Sequence, residues 1–358
     1  MSDITGRRPG FKNLGGARPR AVSLSRRELV ETDYLSPGET LPLVVRPKDV
    51  ELDPADWVGG SRDFIEENLL RHGGLLFRGF DVGGVERFEE FVRAFSTNLM
   101  DYLDQHTPRT RLTPAVYTST EYPADQRVPF HSENSKNRVW PLKLWFCCLQ
   151  PPPRGGETPI ADNAKVFRLL DPKLSARFVE KRVMYARNFG EGVGLPWQTA
   201  FQTDDREAVE RHCREQRMEF EWKDGNRLRV RHVCQAVAAH PATGETLWFN
   251  QAHLFHVAGL EPAFRESLLG LFEEEDLPSN AYYGDGSPIE DSVIAEIVEA
   301  YRLASVSFPW RPKDVLMLDN MRVAHGRAPY EGPRRVLVAM AEPYGGDAGV
   351  PNSSGVVS

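Results

Sequence analysis

The chain has 358 residues, of which 41% are hydrophobic and 27% are charged. That mixture excludes an intrinsically disordered chain, and the longest apolar runs are too short to cross a bilayer, which excludes a membrane-spanning protein. Lysine and arginine number 44 against 51 acidic residues, giving a net charge of −7. This balance argues against a protein whose whole surface binds nucleic acid.

The ends of the chain differ in composition from its middle. Residues 1–27 contain seven lysine or arginine residues against one acid and show no hydrophobic periodicity, so they are predicted to form a disordered basic leader. Residues 345–358 are rich in glycine and serine and are predicted to form a flexible tail. No linker divides the intervening residues, 28–344, which are therefore predicted to form a single domain.

Taken in chain order, the predicted elements mix helices and strands. Apolar residues at three- and four-residue spacing predict helices, and alternating or continuous apolar runs between turn residues predict strands. The predicted helices span 61–71, 85–95, 262–274 and 288–302, and the clearest strands span 74–80, 142–150, 246–250, 314–318 and 334–341. Residues 190–196 and 276–288 are predicted to be loops over a site. This pattern indicates an α+β domain with a β-sandwich or barrel at its centre.

The four cysteines indicate the redox compartment. They have no CxxC spacing, which argues against a disulfide framework and a structural zinc site, and a reducing cytoplasm is predicted. The paired arginines near the start are not followed by an apolar stretch, so they are not interpreted as an export signal. The cysteines are Cys147, Cys148, Cys213 and Cys234.

Two histidines and one carboxylate form the strongest candidate for chemistry. On an extended segment His131 and Glu133 project to the same side. His325 lies between two predicted strands much later in the chain. Together these side chains would form a 2-His-1-carboxylate facial triad, which leaves three open metal positions and is typical of non-haem Fe(II) oxygenases. An acidic cosubstrate at two of those positions needs an arginine for its far carboxylate, and Arg335 is the residue predicted to supply it.

These residues lie within a longer pattern that resembles the taurine dioxygenase-like (TauD/TfdA) family of Fe(II)/2-oxoglutarate-dependent oxygenases. The chain is most similar to the branch from peptide-antibiotic pathways that includes the syringomycin aspartyl β-hydroxylase. The similar region runs over 73–343. Its motifs are at 74–80, 118–135, 140–146, 155–162, 248–251 and 310–340.

The resemblance implies a fold, cofactors and residue roles. The expected core is a double-stranded β-helix, or jelly roll, flanked by helices. His131, Glu133 and His325 would bind Fe(II), and Thr158 and Arg335 would bind 2-oxoglutarate, with dioxygen as the second cosubstrate. Residue 339, where sulfonate-using relatives have a second arginine, is alanine, so a sulfonate is not the expected substrate. The carboxylate ligand also argues against a halogenase.

The implied activity is hydroxylation of an unactivated C–H bond in an amino acid or amino-acid-derived unit in natural-product biosynthesis. The substrate is expected to be either free or tethered to a carrier protein. The chain could form a homo-oligomer, and neither nucleic acid nor a membrane is an expected partner. The same oxidation chemistry could instead lead to desaturation, epoxidation or cyclisation. Two alternatives belong to other functional classes: a non-catalytic sensor that binds metal and a 2-oxoacid, and a zinc-dependent hydrolase. Substrate contacts are predicted for Asn134, Ser135, Asn250 and Arg327.

Overall fold

The computed structural model describes residues 25–49, 51–101, 109–190 and 196–345. The strands are β1 Val30–Tyr34, β2 Leu43–Pro47, β3 Gly74–Phe77, β4 Val116–Thr118, β5 Val128–His131, β6 Val139–Gln150, β7 Arg154–Gly155, β8 Ile160–Asp162, β9 Val183–Phe189, β10 Glu219–Lys223, β11 Arg227–Cys234, β12 Val237–Ala239, β13 Thr246–Trp248, β14 Ser279–Tyr283, β15 Ser305–Val306, β16 Val315–Asp319, β17 Val323–Arg327, β18 Tyr330–Glu331 and β19 Arg335–Gly345. The helices are α1 Pro54–Gly60, α2 Arg62–His72, α3 Val85–Phe95, α4 Asn163–Leu169, α5 Pro172–Lys181, α6 Trp197–Phe201, α7 Arg206–Glu215, α8 Ala252–Phe255, α9 Pro262–Leu271 and α10 Asp291–Ala304.

The largest sheet has seven strands in the order β1-β2-β3-β16-β6-β19-β4. Its neighbours are antiparallel except for β2 and β3, which are parallel. Helices α1, α2 and α3 cover one face. Helix α3 buries Phe88, Phe91, Val92 and Phe95, whose i, i+3, i+4, i+7 spacing places them on one side of the helix. Phe91 packs edge-on against Trp145 of β6, so an aromatic core joins these helices to the sheet.

A second, four-stranded sheet has the order β15-β8-β17-β5. Side chains of both sheets enter one buried cluster, which includes Ile160 of β8, Val323 of β17 and, from β19, Val336, Val338 and Met340. Because strand side chains alternate between faces, the even-numbered residues of β19 face this shared core. The two sheets therefore pack against each other. The candidate site forms on β17 and β5, and β5 is the edge strand of the four-stranded sheet.

A third sheet, in the order β10-β11-β9-β14, lies beside the first two. Its β14 strand falls within residues 276–288, so the prediction of a continuous loop there is wrong. The stretch Ser279–Tyr283 has a mixed composition without a clear alternation, but it pairs antiparallel with β9 and buries Ala281 and Tyr283. Pairing with a distant strand, rather than local pattern, determines its conformation.

The helices and strands predicted from the sequence are present in the structure. The helix predicted at 85–95 is α3, and the strand predicted at 334–341 is the start of β19. The combination of helices and sheets confirms the mixed class at that level. Within the described ranges, no helix is long and apolar enough to span a bilayer.

The predicted leader and tail fall mostly on residues outside the described ranges. Residues 1–24 and 346–358 are not described, whereas Arg26, at the end of the predicted leader, lies in a short 3-10 turn, Arg26–Leu29. Its guanidinium bonds Asp56 at 2.9 Å, and its carbonyl accepts a hydrogen bond from Trp57. The predicted loop at 190–196 also lies largely outside the described residues.

Candidate metal and cosubstrate site

Strand pairing brings the predicted metal ligands together. Strands β5 and β17 are antiparallel neighbours, and His131 lies directly opposite His325 in their register. Glu133 follows β5 by two residues. One potential ligand atom from each of the three side chains lies within 4.8 Å of the others. Residues separated by almost two hundred positions thus converge on one point, as the sequence predicts.

Each histidine presents a ring nitrogen suited to metal binding. Nδ1 of His131 lies 2.9 Å from the Pro129 carbonyl oxygen, which can only accept, so Nδ1 donates and Nε2 keeps its lone pair. Nδ1 of His325 is buried and has no hydrogen-bond partner among the described residues. Burial lowers the pKa of His131 and lowers that of His325 well below its usual value, so both rings are neutral.

Arg109 holds the carboxylate of Glu133 in a buried ion pair. Its Nη2 donates to Oε2 of Glu133 at 2.8 Å, and the two side chains are only 3% and 7% exposed. Burial alone would raise the pKa of Glu133, but attraction to the Arg109 guanidinium and its hydrogen bond outweigh burial and lower that pKa. Glu133 is therefore ionised at neutral pH, as a metal ligand must be.

The backbone beside Glu133 is fixed by Asn320, in the turn between β16 and β17. The Asn320 side chain accepts from the Glu133 amide at 2.7 Å and donates to the carbonyls of Glu133 and Pro141, both at 2.9 Å. Asp319 stabilises the same turn by accepting from two backbone amides and contacting buried His240 at 2.9 Å. The same turn thus holds the backbone of Glu133 and leads into β17, the strand that carries His325.

The donor set fits a divalent first-row metal. Two neutral imidazoles and one carboxylate are the ligands of non-haem Fe(II) sites, and three side chains leave three positions of an octahedron open. Nδ1 of His325 is buried without a partner among the described residues, and Arg109 occupies only Oε2 of Glu133, so donor atoms of both side chains are left for a cation. The residues present are therefore those that Fe(II) requires.

A pocket for a carboxylate lies next to the histidines. Thr158, 3% exposed, accepts a hydrogen bond from the indole N–H of Trp310 at 3.1 Å and lies 3.5 Å from Nη2 of Arg334. Thr158, Arg334 and both histidines line one pocket. Burial lowers the pKa of Arg334 to about 10, which leaves it charged at neutral pH. A buried cation beside a hydroxyl can hold the far carboxylate of a dicarboxylic acid.

The structure corrects the assignment of Arg335 to this pocket. Arg335 is exposed at the start of β19, and its neighbour Arg334 faces the pocket instead. The reason is strand alternation: Arg334 is in phase with Val336 and Val338, which face the core between the two sheets. Arg335 is in phase with Leu337 and Ala339, which face the helix-covered side of the larger sheet. Four residues after Arg334 the chain has Val338, so a second arginine is absent from this register as well.

A larger cavity of about 950 Å³ adjoins the candidate metal ligands and shares His131 and Arg109 with the smaller pocket. His131 and Glu133 line it, together with buried polar side chains and apolar side chains toward the rim. The buried polar residues are Asn134, Lys136 and Gln251, and the apolar ones are Leu254, Phe255, Leu260 and Phe264. Asn134 has a φ of +57°, a left-handed conformation that asparagine tolerates, as the chain turns out of β5 past Glu133.

Of the four predicted substrate contacts, only Asn134 lines this cavity. Ser135 is fully buried away from it, and Asn250 uses its side chain within its own loop, donating to Ala236 O at 2.8 Å and accepting from Ala252 N at 3.0 Å. Arg327 donates to three carbonyl oxygens of the segment 122–126, so its guanidinium anchors that segment. Ser135, Asn250 and Arg327 thus do not line this cavity, although Arg327 lines the smaller pocket, and their contacts with a substrate stay predictions.

Several residues of the site escaped sequence analysis. Arg109 lies upstream of Glu133 on a separate segment and carries no motif. Trp310 and Asn320 lie within the motif at 310–340, but membership in a motif does not show which atom a side chain contacts. Lys136, three residues after Glu133, has no usable signal either, because lysines are mostly exposed and its burial is visible only in the structure.

Comparison with known proteins identifies the family. Residues 38–340 match the model of the taurine catabolism dioxygenase TauD, TfdA family. The chain belongs to this family. The family and enzyme class predicted from the sequence, an Fe(II)/2-oxoglutarate-dependent dioxygenase, are thereby confirmed.

Two relatives and one solved structure show the extent of the similarity. The dapdiamide synthesis protein DdaC of Enterobacter agglomerans is 41% identical over 279 residues, covering 78% of this chain and 85% of that protein. A clavaminate synthase-like protein of Arabidopsis thaliana is 30% identical over 293 residues, covering 79% and 85%. The PvcB protein of Pseudomonas aeruginosa is 15% identical with a TM-score of 0.51, covers 84% and 85%, and shares the fold.

Proposed function

We propose that this enzyme uses Fe(II), 2-oxoglutarate and dioxygen to hydroxylate an unactivated C–H bond of an amino acid or amino-acid-derived unit in natural-product biosynthesis. The observation that carries the proposal is that the ligand cluster lines two spaces: His131 and His325 line the Thr158–Arg334 pocket, and His131 and Glu133 line the large cavity. A cosubstrate in the pocket and a substrate in the cavity could therefore both reach a metal held by the cluster.

When bound, Fe(II) and 2-oxoglutarate supply the oxidising chemistry: dioxygen is reduced as 2-oxoglutarate becomes succinate and carbon dioxide, and one oxygen atom enters the substrate. His131, Glu133 and His325 hold the metal. Arg334 and Thr158 bind the far carboxylate of 2-oxoglutarate, and Trp310 orients the Thr158 hydroxyl by donating to its oxygen. The buried, mostly apolar walls exclude water from the reacting atoms.

The lining of the large cavity supports an amino-acid-derived substrate. Buried Lys136 can attract a carboxylate, and the amides of Asn134 and Gln251 can contact polar groups, while Leu254 and Phe255 suit an alkyl or aryl part. A volume of about 950 Å³ admits more than a single small amino acid. The similarity to a protein named for dapdiamide synthesis supports the same substrate class.

We further propose that the two packed sheets form the double-stranded β-helix of this family and that residues 28–344 form one catalytic domain. A cytoplasmic location is proposed from the cysteines. All four are free and buried, and burial raises the pKa of each thiol, which suits a reducing compartment where none needs a partner.

The proposal is tested by measuring succinate in anaerobically reconstituted enzyme after dioxygen is admitted. A panel of free amino acids, small amino-acid amides and aminoacyl groups on a carrier protein serves as substrates, and His325→Ala is the inactive control. We expect one class to stimulate succinate formation and gain one oxygen atom. A product lacking two hydrogens would indicate desaturation or cyclisation instead. Succinate formation unaffected by every amino-acid-derived compound would contradict the proposed substrate class.

A further inference from the structure

The ion pair between Arg109 and Glu133 is an unexpected feature of the metal site. Arg109 Nη2 lies 2.8 Å from Oε2 of Glu133 and 3.4 Å from Oγ1 of Thr120. Arg109 lines both the cosubstrate pocket and the large cavity. A permanent positive charge thus contacts one oxygen of the only carboxylate in the ligand cluster.

Electrostatics alone argues against placing an arginine here. A guanidinium is always charged, and a charge so close to a divalent cation repels it. Burying the pair also has a desolvation cost that the mutual attraction need not recover. The pair keeps Glu133 ionised, and its geometry suggests a second benefit, because the hydrogen bond occupies Oε2 and leaves the other oxygen.

The rotation of the Glu133 carboxylate is what Arg109 controls. Asn320 fixes the Glu133 backbone through its amide and carbonyl, but it does not contact the carboxylate. Three rotatable bonds still separate that backbone from the oxygens. The hydrogen bond from Arg109 holds Oε2 at a defined place, so it sets which oxygen is presented to the two histidines.

We propose that Arg109 is a positioning residue that limits Glu133 to binding the metal through a single oxygen. An octahedral metal has six positions, and three single-atom ligands leave three, two for 2-oxoglutarate and one for dioxygen. A carboxylate bound through both oxygens would take a fourth position, leaving none for dioxygen once the cosubstrate is bound. This inference rests on the proposed function, because it assumes the same metal and cosubstrate.

The test uses Mn(II) as a probe and the relaxation of solvent protons as a measure of water molecules bound to the metal. Wild type and three variants are compared, each loaded with Mn(II) alone and then with 2-oxoglutarate added. Arg109→Met removes the hydrogen bond. Arg109→Lys keeps a charged donor. Arg111→Met is the matched control, because Arg111 lies two residues away, is exposed and pairs with Asp101.

We expect Arg109→Met to bind Mn(II) with an affinity within about tenfold of wild type, but with relaxation lower by about one third, as for two bound waters instead of three. Adding 2-oxoglutarate should leave one exchangeable water in wild type and none in this variant. Arg109→Lys should behave as wild type, and Arg111→Met should be unchanged.

Two results would overturn the inference. If Arg109→Met gives wild-type relaxation in both states, Arg109 does not limit how Glu133 binds. If that variant loses Mn(II) binding altogether, Arg109 is needed to form the site rather than to restrict it. Failure of the proposed function is recognised separately, because 2-oxoglutarate would then leave the relaxation of wild type unchanged.

Discussion

Arg334 and Arg335 are adjacent, yet only one can reach the cosubstrate pocket. Arg334 shares its strand face with Val336, Val338 and Met340, whereas Arg335 is exposed. The sequence alone predicts that one of the pair faces inward, but choosing it requires knowing which face of β19 meets the smaller sheet. That choice depends on a packing partner more than a hundred residues away in sequence.

This correction gives a matched pair of variants. Arg334→Met should weaken 2-oxoglutarate binding by about 100-fold, because two or more charge-assisted hydrogen bonds are lost. Arg335→Met, with the same change in charge, should leave it unchanged. Isothermal titration of Mn(II)-loaded protein measures both. Equal losses in the two variants would mean that the effect is one of net charge and not of contact.

Lys136 provides a prediction for the substrate side of the metal. Lys136→Met should raise the KM for a carboxylate-bearing substrate by about tenfold while leaving 2-oxoglutarate binding unchanged, because Lys136 lines the large cavity but not the cosubstrate pocket. Lys313→Met is the control, since Lys313 is exposed and pairs with Asp81. A parallel loss of 2-oxoglutarate affinity in Lys136→Met would contradict the assignment.

At this scale the sequence predicts ligands better than it predicts their supports. Residue type and spacing predict His131, Glu133 and His325 as metal ligands, whereas Thr158 is predicted only by the resemblance to the family. Arg109 could not be identified, since an arginine on an unremarkable segment has no local feature that indicates a buried carboxylate as its partner. The contacts of Arg327 could not be predicted for the same reason: its position two residues after His325 does not show that its guanidinium bonds three backbone carbonyl oxygens.

At the scale of elements, the turn between β16 and β17 fixes two parts of the candidate site. Asp319 and Asn320 end one strand, and their side chains bond the turn itself and the segment that carries Glu133. The turn also sets where β17 begins and thus where His325 lies opposite His131. A single short connection therefore positions two of the three metal ligands.

Removing the Asn320 side chain should affect both stability and metal binding. Asn320→Ala deletes three buried hydrogen bonds, so we expect a loss of about 2–4 kcal/mol in the free energy of unfolding. Mn(II) affinity should fall as well, by about 10–100-fold. Urea denaturation and titration measure the two effects. Asn320→Asp, which keeps the acceptor for the Glu133 amide but turns a buried carboxylate oxygen toward two carbonyl oxygens, should lose at least as much stability as Asn320→Ala.

The elements that the sequence predicted correctly are those with strong local signals. Helix α3 has a continuous apolar face, and β3, β6, β16 and β19 have long buried runs. Strand β14 was missed because its short, mixed segment is a strand only through pairing with β9. Site-bearing β5 was located through its motif rather than its pattern, since all four of its residues are half-buried.

At the scale of the whole molecule, the ligands lie between parts that meet only when the chain is folded. The two histidines come from paired strands, the carboxylate from a loop held by a distant turn, and Arg334 from the residue before β19 of the larger sheet. An unfolded chain cannot reproduce this arrangement. Metal and cosubstrate should consequently bind the folded state alone and stabilise it.

This linkage predicts a shift in thermal stability. Mn(II) with 2-oxoglutarate, each at about 100 times its dissociation constant, should add roughly 2.7 kcal/mol per ligand to the free energy of unfolding and raise Tm by several degrees. Differential scanning calorimetry in the presence and absence of EDTA measures the shift. His131→Ala should show none of it; the same increase in that variant would place the bound metal elsewhere.

The central claim is that Fe(II) and 2-oxoglutarate meet at His131, Glu133 and His325. Anaerobic titration of metal-free protein with Fe(II) and then 2-oxoglutarate tests it most directly, by following the visible charge-transfer absorption of 2-oxoglutarate chelated to Fe(II). We predict that the band appears at one equivalent of each in wild type and is absent in His131→Ala. Wild-type protein that binds Fe(II) but never develops the band, or a variant that develops it unchanged, would contradict the account.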